Sequence, residues 1–202
     1  MMETQHNKDS QNIMGAIKPG TVGAEIGVWY GNTSMQFVKQ GVKELHLVDP
    51  WSVEPYKESD ADEHGGFEKY LDRYQKICGG RSVEAFTKYY DKVAREVEQK
   101  FFMHPQVKIH RMTSTEWFNQ FEGELDWIYI DGDHSYEGCL RDLRDALKVV
   151  KKGGTIFGDD FRHPGKAGGG KPGVVKAVKQ FLEETSFESN LYGTQQIGIR
   201  VA

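Results

Sequence analysis

The chain has 202 residues, 38% of them hydrophobic, with a formal net charge of −4. That length leads us to expect one domain, residues 1–202, with room for a sizeable core. Mild acidity argues against tight nonspecific binding to nucleic acid, and no run of about twenty apolar residues is available to span a membrane.

Residues 1–12 read as a polar tail without the apolar core of a signal peptide, which points to the cytoplasm. The two cysteines, Cys78 and Cys139, have no metal-ligand spacing and are expected to be reduced thiols. After a helical turn at 13–17 and the turn Lys18-Pro19-Gly20, residues 21–28 suit a first strand. Within it Val22, Ala24, Ile26 and Val28 alternate with Gly23, Glu25 and Gly27. A glycine loop from Gly27 to Gly31 opens a helix carrying Met35, Phe37 and Val38, and residues 44–48 form a second strand ending at Asp49-Pro50.

Residues 51–103 are too long for a single crossover and read as a helical insertion. Its polar start, residues 52–66, has the character of a lid over the ligand. Phe67, Tyr70, Leu71, Tyr74 and Ile77 have helical spacing that ends at Gly79-Gly80, and Ser82 suits the cap of a second helix. Such aromatic spacing fits core or dimer packing better than a substrate cage. Residues 107–111 are a third strand, and Thr113 to Glu116 matches a capping box.

Residues 126–130 form a strand ending in Asp131, Asp133 and His134. A helix follows with Leu140, Leu143, Leu147 and Val150 on one stripe, stopped at Gly153-Gly154. Residues 155–157 then begin a strand ending in Asp159 and Asp160. The glycine-rich stretch 165–173, with Arg162, His163, Lys166 and Lys171 in or beside it, reads as a solvated basic loop. A helix at 174–184 and a last strand at 195–201 complete the chain. Strands and helices alternate throughout, which predicts an α/β fold, doubly wound around a mainly parallel sheet. Right-handed crossovers would bring Asp131, Asp159 and Asp160 to one carboxyl edge, where ligands of such sheets bind.

A loop that leaves a strand and opens a helix offers backbone N–H groups to a ligand. The spacing here, Glu25-x-Gly27-x-x-x-Gly31, is not that of a dinucleotide fingerprint. Asp49 could hold the hydroxyls of a ribose or merely cap a loop. Asp131, Asp159 and Asp160 are hard oxygen donors suited to Mg²⁺, with Mn²⁺ or Ca²⁺ as substitutes. They could equally be a helix cap and a solvated loop.

Taken together, the segment from Glu25 to Ser34, Asp49, Ile130 to Tyr136, and Gly158 to Asp160 resembles the class I S-adenosylmethionine-dependent methyltransferases. More narrowly it resembles their metal-dependent O-methyltransferases of the catechol, caffeoyl-CoA and macrolide-sugar type. The likeness covers about residues 20–50 and 105–160. It implies that Glu25 and Gly27 floor the methionine end of the donor, that Trp29, Gly31 and Thr33 wrap its amino-acid group, and that Asp49 holds its ribose. Thr113 and Ser114 would lie along the adenine, with Asp131 and Asp133 beside them. It further implies Asp131, Asp159 and Asp160 as metal ligands and His134 as general base, where many relatives carry lysine. Asp160 departs from the asparagine usual in the catechol and caffeoyl types.

The expected activity is therefore metal-dependent methyl transfer to a hydroxyl of a small molecule, a sugar or phenol. The resemblance also allows a homodimer. The alternatives are a metal-independent methyltransferase of the same class and a non-catalytic ligand-binding protein of the same fold.

Overall fold

A computed structural model describes residues 11–58, 65–161, 170–193 and 195–202. Seven strands form one sheet: β1 (Val22–Ile26), β2 (Glu44–Val48), β3 (Val107–His110), β4 (Leu125–Ile130), β5 (Val150–Gly158), β6 (Ser189–Tyr192) and β7 (Gln196–Arg200). They lie in the order β3-β2-β1-β4-β5-β7-β6. The first five pair with one another in parallel, and β7 runs antiparallel to both β5 and β6. The order reverses direction beside β1, and that switch point opens a crevice at the carboxyl ends of β1 and β4.

The helices are α1 (Gln11–Met14), α2 (Asn32–Lys39), α3 (Pro55–Glu58), α4 (Phe67–Cys78), α5 (Val83–Phe101), α6 (Ser114–Gln120), α7 (Tyr136–Ala146) and α8 (Pro172–Thr185). Side chains of a strand alternate between faces, and both faces of this sheet are covered. Ala24, Ile26, Ile128 and Ile130 pack against Leu140, Leu143, Ala177 and Phe181 of α7 and α8. Leu45, Leu47, Tyr129 and Phe157 pack against Phe37 of α2 and Val93 and Val97 of α5. The alternation seen in residues 21–28 therefore does not separate a wet face from a dry one, and Glu25 is 1% exposed.

Three boundaries differ from the sequence expectation. Helix α7 ends at Ala146, and Val150 opens β5 opposite Leu125 rather than closing the helical stripe. Gly153 and Gly154 lie inside β5, where the register with β4 shifts. There Gly153 takes φ +73, and a Cβ on Gly154 would stand 2.8 Å from the Asp126 carbonyl oxygen. These glycines mark an irregular strand, as they can do as well as stop a helix. The expected single last strand is a hairpin, because β6 precedes it on the sheet edge; β6 is too exposed to carry a hydrophobic pattern.

Within residues 51–103, Val53, Tyr70, Leu71, Cys78 and Phe86 make a small core of their own. Gly79 ends α4 in the left-handed conformation, and the Ser82 hydroxyl accepts the Ala85 N–H at 3.2 Å to cap α5. Both cysteines are buried free thiols. Residues 59–64 of the expected lid and 162–169 of the basic loop, like the first ten residues of the tail, lie outside the described residues. Among the described residues no helix is long and apolar enough to cross a membrane.

One polar cluster inside the sheet gives a pH-dependent prediction. His46 Nδ1 of β2 lies 3.0 Å from His110 Nε2 of β3, and His46 Nε2 lies 2.8 Å from Glu44 Oε1. Burial lowers the pKa of both rings, that of His110 to about 4. A folded-state pKa below the unfolded value of about 6.5 means that acid favours the unfolded chain. The stability held above that pH is then lost as pH falls toward 4. Melting temperatures measured between pH 7 and 4 should fall less steeply in His110→Gln; an unchanged slope would refute this origin.

Candidate active site

The first wall of the crevice is the loop from Gly27 to Gly31. Gly27 has φ +85, and a Cβ there would stand 2.2 Å from the Asp131 carbonyl oxygen. Only glycine lets this loop lie against the end of β4. Gly31, at φ +67, is the N-cap of α2 and provides no side-chain cap. Thr33 sits partly buried in the first turn of that helix.

Asp49, at the end of β2, fixes the loop from the other side. Its Oδ2 accepts the N–H groups of Val28 and Trp29, both at 2.9 Å, and its Oδ1 accepts the Trp51 N–H at 2.7 Å. Burial raises its pKa, and these three bonds oppose the rise. A carboxylate has about four acceptor positions, so Asp49 keeps limited capacity for a ligand hydroxyl. The sequence left open whether Asp49 binds ligand or holds the loop, and the structure shows it holding the loop.

Glu25 lies wholly buried beneath the loop and accepts a hydrogen bond from the Ser34 hydroxyl. Burial, with Asp131 and Asp49 nearby, pushes its pKa well above the ordinary carboxylate range. Trp29 is 44% exposed at the mouth of the crevice, and its indole N–H donates to Tyr89 of α5 at 3.1 Å. Its backbone sits at φ +49, a conformation uncommon for a residue other than glycine.

At the ends of β4 and β5, beside the loop that Gly27 lays against Asp131, three side chains converge. His134 Nε2 is 3.2 Å from Asp131 Oδ1 and 3.4 Å from Asp160 Oδ2. One potential ligand atom from each of Asp131, His134 and Asp160 lies within 4.8 Å of the other two. Two hard oxygens and an imidazole at this spacing fit a divalent ion, and the nitrogen suits Mn²⁺ better than Mg²⁺. Lys171, at the N-cap of α8, approaches the same cluster, with Nζ 2.9 Å from Asp160 Oδ2. It thus pairs with an expected metal ligand instead of standing in a solvated loop.

Asp159 does not join the three. Its Oδ2 accepts the Tyr129 hydroxyl at 2.7 Å, its Oδ1 accepts the Asp160 N–H at 2.8 Å, and it is 8% exposed. Gln196 in turn donates to the Tyr129 oxygen at 3.2 Å. Burial beside Asp131 raises the Asp159 pKa to about 6. The local cause of the split is Asp160, whose φ of +55 turns consecutive carboxyl groups in different directions. In this geometry His134, expected as a base, stands with Asp131 and Asp160, while Asp159, expected as a metal ligand, is turned to Tyr129.

On the remaining side, Thr113 closes a capping box with Glu116. The Ser114 hydroxyl donates to Asp142 Oδ1 of α7 at 2.7 Å. Asp133 Oδ1 accepts the Ser135 N–H at 2.9 Å and shapes the turn into α7.

Residues 24–161, more than half of the chain, match a protein family described as a methyltransferase domain. This chain belongs to that family. It has the fold of the class I S-adenosylmethionine-dependent methyltransferases, and solved structures agree with this. A Klebsiella pneumoniae protein described as an O-methyltransferase is 16% identical, with a TM-score of 0.59 over all of this chain and 83% of its own. The O-methyltransferase NovP is 17% identical over 96% of this chain and 77% of its own, with a TM-score of 0.56. A Streptococcus mutans protein described as a methyltransferase, solved in complex with SAH, is 10% identical over 98% of both chains, with a TM-score of 0.57. None of the curated proteins matches the sequence.

Three residues at the candidate site carry no clear signal in the sequence. Tyr129 looked like one more apolar strand residue, and Asp142 like one of several acids on the wet face of α7. Lys171 was hidden among the other cations of its loop. For Asp142 a signal did exist, since Cys139, Asp142, Leu143 and Ala146 have the spacing of one helix face, and all four are buried.

Proposed function

We propose that this methyltransferase moves the methyl group of S-adenosylmethionine to a hydroxyl of a small molecule, with a divalent ion held by Asp131 and Asp160. The observation that carries the proposal is the convergence of Asp131, His134 and Asp160 beside the glycine loop. The loop from Gly27 to Gly31 and Asp49 would seat the amino-acid and ribose parts of the donor, with Glu25 buried beneath. A bound divalent ion would lower the pKa of an acceptor hydroxyl, which makes transfer to oxygen feasible near neutral pH. His134, between the two carboxylates, is positioned either to complete the ion's ligands or to take the hydroxyl proton. Trp29, held by its indole N–H on the Tyr89 hydroxyl, would wrap the amino-acid group of the donor with Gly31 and Thr33.

A second reading has its own observation. Lys171 and His134 already place cationic or proton-donating groups against Asp160, so the chain could neutralise this corner without a metal. The two readings separate in one assay. The purified protein should bind S-adenosylhomocysteine by calorimetry and methylate members of a panel of phenols and sugars. Under the first reading EDTA abolishes turnover and Mn²⁺ or Mg²⁺ restores it; turnover indifferent to EDTA would establish the second.

A further inference from the structure

Asp159 is held apart from Asp131 and Asp160 by a relay that starts on the C-terminal hairpin. Gln196 of β7 is 0% exposed; its Nε2 donates to the Tyr129 oxygen at 3.2 Å, and its Oε1 has no hydrogen-bond partner among the described residues. Tyr129 is also 0% exposed, and its hydroxyl donates to Asp159 Oδ2 at 2.7 Å. An ionised carboxylate cannot donate, so the phenol must, and only an N–H can then meet the phenol oxygen. Both bonds therefore have a fixed direction. A buried amide with an unpaired oxygen is costly, and what Gln196 supplies against that cost is its hydrogen bond to Tyr129.

The other oxygen of Asp159 accepts the Asp160 N–H at 2.8 Å, which helps hold Asp160 at φ +55. Both oxygens of Asp159 are thus engaged inside the fold. Asp159 nevertheless stays close to the converging side chains, because it and His134 line one small cavity between the sheet and helices α7 and α8.

We infer that Tyr129, held by Gln196, is a specificity-determining residue of the cation site: by engaging Asp159 it leaves two carboxylates and one imidazole, a set that favours Mn²⁺ over Ca²⁺. The inference rests on the proposed metal centre and states which side chains compose it. Calcium takes about six to eight oxygen ligands and has little use for an imidazole nitrogen, which Mn²⁺ accepts more readily. A third carboxylate would add both negative charge and oxygen, and Ca²⁺ would gain most from it. The Tyr129 hydroxyl acts by keeping that carboxylate occupied, without touching the ion itself.

The test is calorimetric titration of the chelator-stripped full chain with Mn²⁺ and with Ca²⁺, free Mn²⁺ being counted by its electron paramagnetic resonance. The wild type should favour Mn²⁺ by about tenfold or more, and Asp159→Asn should leave both affinities within about threefold. Tyr129→Phe keeps the ring and frees Asp159 Oδ2. Its Ca²⁺ affinity should rise about tenfold, with the preference for Mn²⁺ falling to match. Gln196→Leu, which keeps the hydroxyl but releases its direction, should shift the preference the same way by less. Should Tyr129→Phe fail to fold, Asp159→Asn and Gln196→Leu carry the test. Weakening of both ions alike in Tyr129→Phe would mean that the tyrosine merely orients Asp159 as a ligand. That result would overturn the inference, as would an unchanged preference or a loss of about tenfold in Asp159→Asn. A wild type that bound neither ion would overturn the metal centre itself, and this inference with it.

Discussion

Gly27→Ala should lower stability by about 2–5 kcal/mol and weaken binding of the methyl donor at least tenfold. Two costs combine at this position. An alanine held at φ +85 is strained by about 1–2 kcal/mol. Its Cβ would also overlap the Asp131 carbonyl oxygen at 2.2 Å and the Gly132 Cα at 2.7 Å, which are backbone atoms with no rotamer to escape into. Overpacking of that kind typically costs about 1–3 kcal/mol. The loop would have to lift from β4, and the Asp49 bonds to Val28 and Trp29 would stretch with it. Gly41→Ala separates the two costs: φ is +77, but the nearest atom, Pro19 Cβ, is 3.7 Å from the added carbon. It should lose only the conformational part. Melting curves and calorimetry with S-adenosylhomocysteine on both variants decide the matter, and equal losses would show that the approach to β4 is unimportant.

The same loop shows why much of the fold could be read from the sequence. Strands buried on both faces produce short apolar runs, and Gly27, Gly31, Gly79 and the Thr113 to Glu116 box punctuate them with local chemistry that acts within a few residues. Boundaries failed where that chemistry is ambiguous. Gly153-Gly154 follows a basic turn, and only pairing with Leu125 makes it a strand irregularity. Strand β6 gave no signal because an exposed edge needs no apolar pattern.

At the site, spacing brought the right loops together but could not orient consecutive side chains. Whether Asp159 or Asp160 faces the crevice depends on one backbone angle at Asp160 and on a hydroxyl from Tyr129, thirty positions away. The link from Ser114 to Asp142 likewise joins separate helices. Interactions of this sort depend on the folded geometry, and a one-dimensional pattern does not encode them.

Lys171 is the residue on which the two catalytic readings make opposite predictions. Its ammonium and a divalent ion would compete for Asp160, at 2.9 Å in the structure. If the ion is essential, Lys171→Met removes the competitor. The concentration of Mn²⁺ giving half-maximal turnover should then fall several-fold, while Asp131→Asn and Asp160→Asn each reduce turnover by about a hundredfold or more. Asp160→Asn should retain affinity for S-adenosylhomocysteine, because Asp160 pairs with His134 and Lys171 rather than with the glycine loop. If the chain's own cations do the work, Lys171→Met should instead lose turnover at every metal concentration. Asp131→Asn would still weaken His134 as a base by removing a partner 3.2 Å away. Isotopic methyl-transfer assays across a Mn²⁺ titration distinguish these outcomes, since the sign of the Lys171→Met effect differs between them. A lysine that only stabilised the start of α8 would change neither the metal dependence nor turnover, and only the melting temperature would respond.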